Sequence, residues 1–123
     1  MIVLVIGSAL REVSDVQERL GMTFLGAAST APKYRLYSLE ERWAALVEDR
    51  EAGTSIAGEL VEIPDELWDE VVASEPPGIT PGPIELEDGR AVTGALGDEA
   101  SMRERGVEIT EYGSFAAYLR RRL

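Results

Sequence analysis

Hydrophobic residues along this chain follow two patterns, which predict short strands mixed with short helices. Residues 2–6 are all apolar and end at Gly7, which is typical of a strand covered on both faces. Clusters of β-branched, aromatic and other apolar residues between turn residues predict further strands at 22–28, 33–39, 56–63, 84–87 and 90–93. Residues 43–47 fit a strand and a helix equally well.

Helical spacing of apolar residues predicts four short helices. The first covers residues 13–20, and the second begins at Pro64 and ends before Pro76-Pro77-Gly78. The last two are predicted at 98–105 and 115–122, with Ser114 as the cap of the final helix. Residues 76–83 contain four prolines and two glycines, which predict a stiff loop.

Strands outnumber helices, and Asp88-Gly89 between two strands predicts a tight hairpin. The fold class expected is therefore α+β, with a mainly antiparallel mixed β-barrel or sheet and short flanking helices. The chain has 123 residues, of which 45% are hydrophobic, which suits a single domain over residues 1–123.

The net charge of −11 argues against anionic macromolecules and membrane surfaces as partners. Nucleic acids and anionic membranes both require clusters of Lys and Arg. The dense basic run Arg120-Arg121-Arg122 ends a predicted helix, where cations complement the helix dipole. The apolar residues 1–6 are too few for a signal peptide or a membrane span. We expect a cytoplasmic protein that binds neither nucleic acid nor membrane.

The chain has no cysteine and no histidine, which limits the chemistry available to it. Thiol nucleophiles, histidine bases and the usual zinc ligand sets are excluded. Acid–base work would fall to Asp, Glu, Tyr, Lys33 or the N-terminus. We expect no cofactor and no metal site. A tight transition-metal site is disfavoured in particular, because oxygen ligands alone favour Mg²⁺ or Ca²⁺.

Two segments are candidates for chemistry. Glu75 lies where the second helix meets the proline-rich loop, so it is either an ordinary solvated glutamate or a proton carrier with a pKa raised by burial. Gly7-Ser8-Ala9-Leu10 follows a buried strand, and it is either an ordinary turn or an anion site made of backbone N–H groups. Tyr34 and Tyr37 lie on opposite sides of one strand, and each is a candidate pocket residue.

Several longer segments carry a resemblance to a known family. They are Thr30-Ala31-Pro32-Lys33-Tyr34-Arg35-Leu36-Tyr37-Ser38-Leu39, Gly58-Glu59-Leu60, Ile63-Pro64, Gly82-Pro83-Ile84-Glu85-Leu86-Glu87-Asp88-Gly89 and Ile109-Thr110-Glu111-Tyr112-Gly113, followed by Phe115 and Tyr118-Leu119. In order and spacing they resemble the C-terminal domain of allophanate hydrolase. That domain shares its fold with the γ-glutamylcyclotransferases and their AIG2-like relatives.

The resemblance implies a site. In γ-glutamylcyclotransferases a turn similar to Tyr-Gly-Ser-Leu binds the substrate's carboxylate, and a mid-chain glutamate is the acid–base. The resemblance therefore implies that Glu75 is the catalytic residue and that the turn from Gly7 to Leu10 binds the substrate. The turn departs from the Gly-Ala-His-Leu sequence that allophanate hydrolase domains resemble at this position, since this chain has no histidine. We expect the Glu75 carboxyl within roughly 4–8 Å of the backbone N–H groups of Ser8 to Leu10.

Two classes of function follow. The first is a metal-independent enzyme acting on a small carboxylate-bearing amide or carbamate, by γ-glutamyl amine cyclotransfer or by carbamate decarboxylation; the allophanate hydrolase domain is implied to decarboxylate the N-carboxycarbamate that its amidase makes. The second is a non-catalytic binding or accessory module of an amidase system. A homodimer and an amidase partner are both open.

Overall fold

The computed structural model of the chain describes residues 1–121. Within them the strands are β1 (Ile2–Val5), β2 (Thr23–Ser29), β3 (Tyr34–Leu39), β4 (Trp43–Glu48), β5 (Ala57–Glu62), β6 (Ile79–Glu85), β7 (Ala91–Gly97) and β8 (Val107–Glu108). The helices are α1 (Val16–Arg19), α2 (Asp65–Ala73), α3 (Glu99–Arg105) and α4 (Phe115–Arg120), with a 3₁₀ turn at Thr110–Tyr112. No helix in this part of the chain is long and apolar enough to cross a membrane.

The strands form one mixed sheet in the order β2-β5-β1-β7-β4-β3-β8, with β6 added along β7. Most pairs are antiparallel, and an isolated bridge from Thr30 to Leu86 joins the chain after β2 to the chain after β6. Through this bridge β6 is linked back to β2, so that β2, β5, β1, β7 and β6 form a barrel-like arrangement on one side of the sheet. The predicted α+β class, with a mainly antiparallel mixed sheet and short helices, is confirmed.

One strand, β7, organises the rest of the sheet. Along one edge it pairs with β6 from end to end. Its other edge meets β1 in parallel at Thr93 and then β4 in parallel at Leu96. Since β1 and β4 share this edge in succession, the sheet splits between them. The split matters below because a cavity opens there.

The prediction of a stiff loop over residues 76–83 is wrong, because Ile79–Glu85 is the strand β6. Proline is normally excluded from strands because it has no N–H to donate to a neighbour. Here Pro81 and Pro83 are exposed and lie on a strand that pairs with β7 alone, so their missing N–H groups cost no ladder hydrogen bond.

The hairpin that follows β6 is observed as predicted, with a longer turn. Ile84 lies opposite Val92, and Leu86 N–H donates to the Arg90 carbonyl at 2.8 Å. Gly89 has a φ of 89°, and Asp88 is not among the residues with positive φ. The connection is therefore the three-residue type with glycine in the left-handed position rather than a two-residue turn.

The other predicted elements are observed with small changes of length. Residues 43–47, which fitted either element, are strand β4, and the first helix is limited to Val16–Arg19. Ser114 Oγ accepts from Ala117 N–H at 3.0 Å, as predicted for the cap of α4. The described helix ends at Arg120, and Arg122 lies outside the described residues.

Candidate functional site

A cavity of about 410 Å³ opens at the split in the sheet. Its walls come from β1 and the turn after it, from the start of β4, from the middle of β7 and from α2 with the two residues that follow the helix. Its lining is mainly apolar and includes Trp43 of β4 and Trp68 of α2. A concave, apolar site with a few polar groups is the usual form of a small-molecule site.

Helix α2 places Glu75 on this cavity. Its Leu67, Trp68 and Val71 pack against a buried cluster that contains Val3 of β1. After the helix ends, Ser74 Oγ donates to the Val71 carbonyl at 2.7 Å, and Glu75 N–H donates to the Val72 carbonyl at 3.2 Å. Pro76 prevents a further helical turn, so the backbone of Glu75 is held in place.

Glu75 lines the cavity, and its side chain is half-buried. No hydrogen bond or ion pair reaches it from any residue between 1 and 121. Burial raises the pKa of Glu75 above its ordinary value of 4.5, because the charged form loses hydration. A carboxyl with a raised pKa exchanges protons more readily near neutral pH than a solvated glutamate does.

The turn after β1 forms another part of the cavity wall. Gly7, Ser8 and Ala9 line the cavity. The turn is closed by Leu10 N–H, which donates to the Gly7 carbonyl at 3.0 Å, and by Ser14 Oγ, which donates to the Ser8 carbonyl. The N–H groups of Ser8 and Ala9 donate to no acceptor within the described chain, so both donors are available for hydrogen bonds to water or to a ligand.

Glycine at position 7 follows from close packing. A Cβ at this position would lie 3.3 Å from both the Cβ and the N of Ala44 on β4, which is tighter than ordinary contact. The turn therefore approaches β4 closely, and a larger residue would push the two walls of the cavity apart.

A partly buried polar network contacts the turn. The Glu59 carboxylate accepts from Arg11 N–H at 3.0 Å and from Gln17 Nε2 at 2.9 Å. The same Gln17 nitrogen also donates to the Ala9 carbonyl at 2.9 Å, and Gln17 is 4% exposed. Glu59 on β5 therefore positions Ala9 through Gln17. Glu59 falls inside the strand predicted over residues 56–63, whereas no sequence pattern singled out Gln17.

The other predicted pocket residues lie elsewhere. Tyr34 is buried in the main core, and its hydroxyl accepts from Glu85 N–H at 2.9 Å. Tyr37 is buried in a second cluster with Met102 of α3, which agrees with its predicted placement on the opposite face of the strand. Leu10 is also a core residue. None of these three side chains lines the cavity.

The cavity also contains charged residues that the sequence did not single out. Glu70 of α2 and Arg42, in the loop before β4, both line it. Glu-Glu-Arg at residues 40–42 is not a turn signal, so sequence patterns gave no reason to select Arg42.

No group of three or more acidic side chains within residues 1–121 is arranged to hold a metal ion.

Comparison with known proteins agrees with this fold. The family model of the allophanate hydrolase C-terminal domain matches residues 1–120. The chain belongs to this family. Urea amidolyase of Lachancea kluyveri is 31% identical over 108 residues, which are 83% of this chain and 6% of that protein. This chain therefore spans only a small part of the length of the curated relative that it matches.

Solved structures show the same fold both in a short chain and within long ones. The c4763 protein, described as specific to uropathogenic E. coli, is 30% identical with a TM-score of 0.84, over 96% of this chain and 94% of that one. Kluyveromyces lactis allophanate hydrolase is 23% identical with a TM-score of 0.86, over 99% of this chain and 21% of that one. At that identity the second likeness shows the fold alone.

Proposed function

We propose that this allophanate hydrolase C-terminal domain family member binds a small carboxylate-bearing amide or carbamate in the cavity, with Glu75 as its acid–base. One observation carries the proposal: Glu75, whose carboxyl is unpartnered within the described chain and has a raised pKa, lines the same cavity as a turn whose Ser8 and Ala9 N–H groups are unpartnered there. The amides of Ser8 and Ala9 bind the substrate carboxylate, and the two tryptophans enclose its uncharged part.

With a carbamate such as N-carboxycarbamate, the protonated Glu75 gives its proton to the substrate nitrogen as the N–C bond breaks. The bonding pair stays on nitrogen, the carboxyl carbon leaves as CO₂, and carbamate remains. The Glu75 carboxylate then takes a proton from water. Burial favours this role, because it keeps a larger fraction of Glu75 protonated near neutral pH.

With a γ-glutamyl amine, Glu75 acts in the opposite order. Its carboxylate takes a proton from the substrate's α-amine as the nitrogen attacks the γ-carbonyl. The same proton goes to the leaving amine when the γ-amide bond breaks, and a five-membered lactam forms. The two reactions share the cavity, the anion site and Glu75, and they differ in the product released.

The second candidate function is an accessory module of an amidase system. The comparison with urea amidolyase favours it, because there the matching segment is a small part of a much longer protein. In this case the chain would change the activity or stability of an allophanate-cleaving amidase added to it, and Glu75→Gln would leave that effect intact.

Turnover by the native protein, Glu75→Gln and Glu70→Gln distinguishes the two functions. The substrates are γ-glutamyl amines, followed by amine release, and N-carboxycarbamate generated by an amidase, followed by CO₂ release. Glu75→Gln should lower kcat by about 100-fold or more with little change in ligand affinity. Glu70→Gln is the matched control, because Glu70 lines the same cavity but is exposed. Native activity in Glu75→Gln would contradict the proposal.

A further inference from the structure

Arg42 differs from the other cations that the structure describes. Within residues 1–121 every other Lys and Arg side chain is in an ion pair or donates a hydrogen bond, whereas Arg42 does neither. The chain has 23 acidic residues against 12 basic ones, so a cation that pairs with none of them is unusual. Arg42 also lines the cavity.

The backbone before Arg42 is strained. Glu40 and Glu41 have φ of 56° and 57°, the left-handed region that glycine and asparagine adopt most easily. Such strain in residues with a side chain is often found at functional sites. Here it belongs to the connection between β3 and β4, and the two residues that follow it, Arg42 and Trp43, both line the cavity.

The Arg42 guanidinium lies beside an aromatic wall of the cavity. Its Cζ is 4.8 Å from the centroid of the Trp43 ring, within the range of a cation–π contact. This contact restricts the side chain while leaving the N–H donors of the guanidinium free. A planar guanidinium held in this way is suited to a carboxylate, which it can bind through two hydrogen bonds.

We infer that Arg42 is a second anion-binding group of the cavity: with one carboxylate on the Ser8–Ala9 amides, a dianion such as N-carboxycarbamate places its other carboxylate on Arg42, whereas a γ-glutamyl amine has no second carboxylate to place there. The inference rests on the proposed function, since it assigns the first carboxylate to the turn. Arg42 acts as a specificity-determining residue: it selects ligands that carry a second carboxylate and takes no part in proton transfer, which stays with Glu75.

The experiment measures dissociation constants by calorimetry for three pairs of probes with equal carbon counts: malonate and propanoate, succinate and butanoate, glutarate and pentanoate. In the native protein, the dicarboxylate of at least one pair should bind about ten-fold more tightly, as expected for a hydrogen-bonded ion pair. Arg42→Gln should remove this preference and leave monocarboxylate affinity within about two-fold. Arg42→Lys should restore part of it, because the charge remains while the planar pair of donors is lost.

Arg103→Gln is the control for the loss of one positive charge. Arg103 is exposed on α3, pairs with Glu99 at 2.7 Å and does not line the cavity, so the dicarboxylate preference should persist. Equal affinities within all three pairs in the native protein would overturn the inference and leave the proposed function standing, as would equal effects of Arg42→Gln and Arg103→Gln. Failure of all six probes to bind would overturn both. The native comparison requires no variant, so it stays decisive even if Arg42→Gln folds poorly.

Discussion

Replacing Glu59 with alanine tests whether the polar network that contacts the turn holds the site together. The substitution removes the acceptor of Arg11 N–H at 3.0 Å and of Gln17 Nε2 at 2.9 Å, as well as an ion pair to Arg11 Nε at 3.3 Å. Gln17 is 4% exposed and its Oε1 already has no partner within the described chain, so little water can replace the lost bond.

The expected magnitude follows from these contacts. A hydrogen bond to a charged group contributes about 1.5–3 kcal/mol when it is buried. The Arg11 side chain is 56% exposed, which reduces its ion pair to about 0.5 kcal/mol. We therefore expect Glu59→Ala to lower the free energy of unfolding by about 2–3 kcal/mol. With a urea dependence of about 1.5 kcal/mol per molar, the midpoint of unfolding would fall by about 1.3–2 M.

Urea unfolding of four proteins completes the test: native, Glu59→Ala, Gln17→Leu and the double variant. The double-mutant cycle should give a coupling of about 1 kcal/mol between Glu59 and Gln17, because they share a direct hydrogen bond. Glu62→Ala is the matched control, since Glu62 lies on the same strand, is exposed and should change stability by less than about 0.5 kcal/mol. The reasoning is refuted if Glu59→Ala behaves like Glu62→Ala, or if the cycle shows no coupling.

Three further outcomes follow from the structure. Tyr34→Phe should cost about 1 kcal/mol in urea unfolding by leaving Glu85 N–H unpaired, and a fall in ligand affinity would show that Tyr34 does reach the ligand. Glu40→Gly should stabilise the protein by roughly 0.5–1 kcal/mol by relieving the left-handed strain, whereas Glu40→Ala should bring no gain; equal effects would rule out the strain. Because the folded pKa of Glu75 is raised, its ionisation destabilises the folded state above that pKa. Glu75→Gln should therefore be more stable than the native protein at neutral pH, and the difference should shrink as the pH falls toward 4.5; a difference independent of pH would contradict the burial of this carboxyl.

The elements that local patterns define were predictable from the sequence. Residues 2–6 are apolar throughout, and the structure places β1 between β5 and β7. The helix from Pro64 and its apolar stripe were also evident, because a proline and two acids mark its start and Pro76-Pro77-Gly78 marks its end. Such elements depend on neighbouring residues, which a sequence displays directly.

Features set by tertiary contacts were not predictable. Residues 76–83 have the composition of a loop, and only pairing with β7 on one edge makes Pro81 and Pro83 acceptable in a strand. The left-handed turn at Glu40 and Glu41 likewise has no local signal, so Arg42 was missed. Alternation along a strand shows that Tyr34 and Tyr37 lie on opposite faces, but it does not show what each face contacts. The sequence therefore could not tell whether either tyrosine lies in the core or on the cavity.

A crystal structure of the protein soaked with succinate tests the central claim most directly. The account predicts one carboxylate within hydrogen-bond distance of the Ser8 and Ala9 N–H groups, at about 2.7–3.2 Å. It also predicts the Glu75 carboxyl within roughly 4–8 Å of those amides, on the same cavity. Succinate bound elsewhere on the protein, or a Glu75 side chain turned away from the occupied cavity, would contradict it.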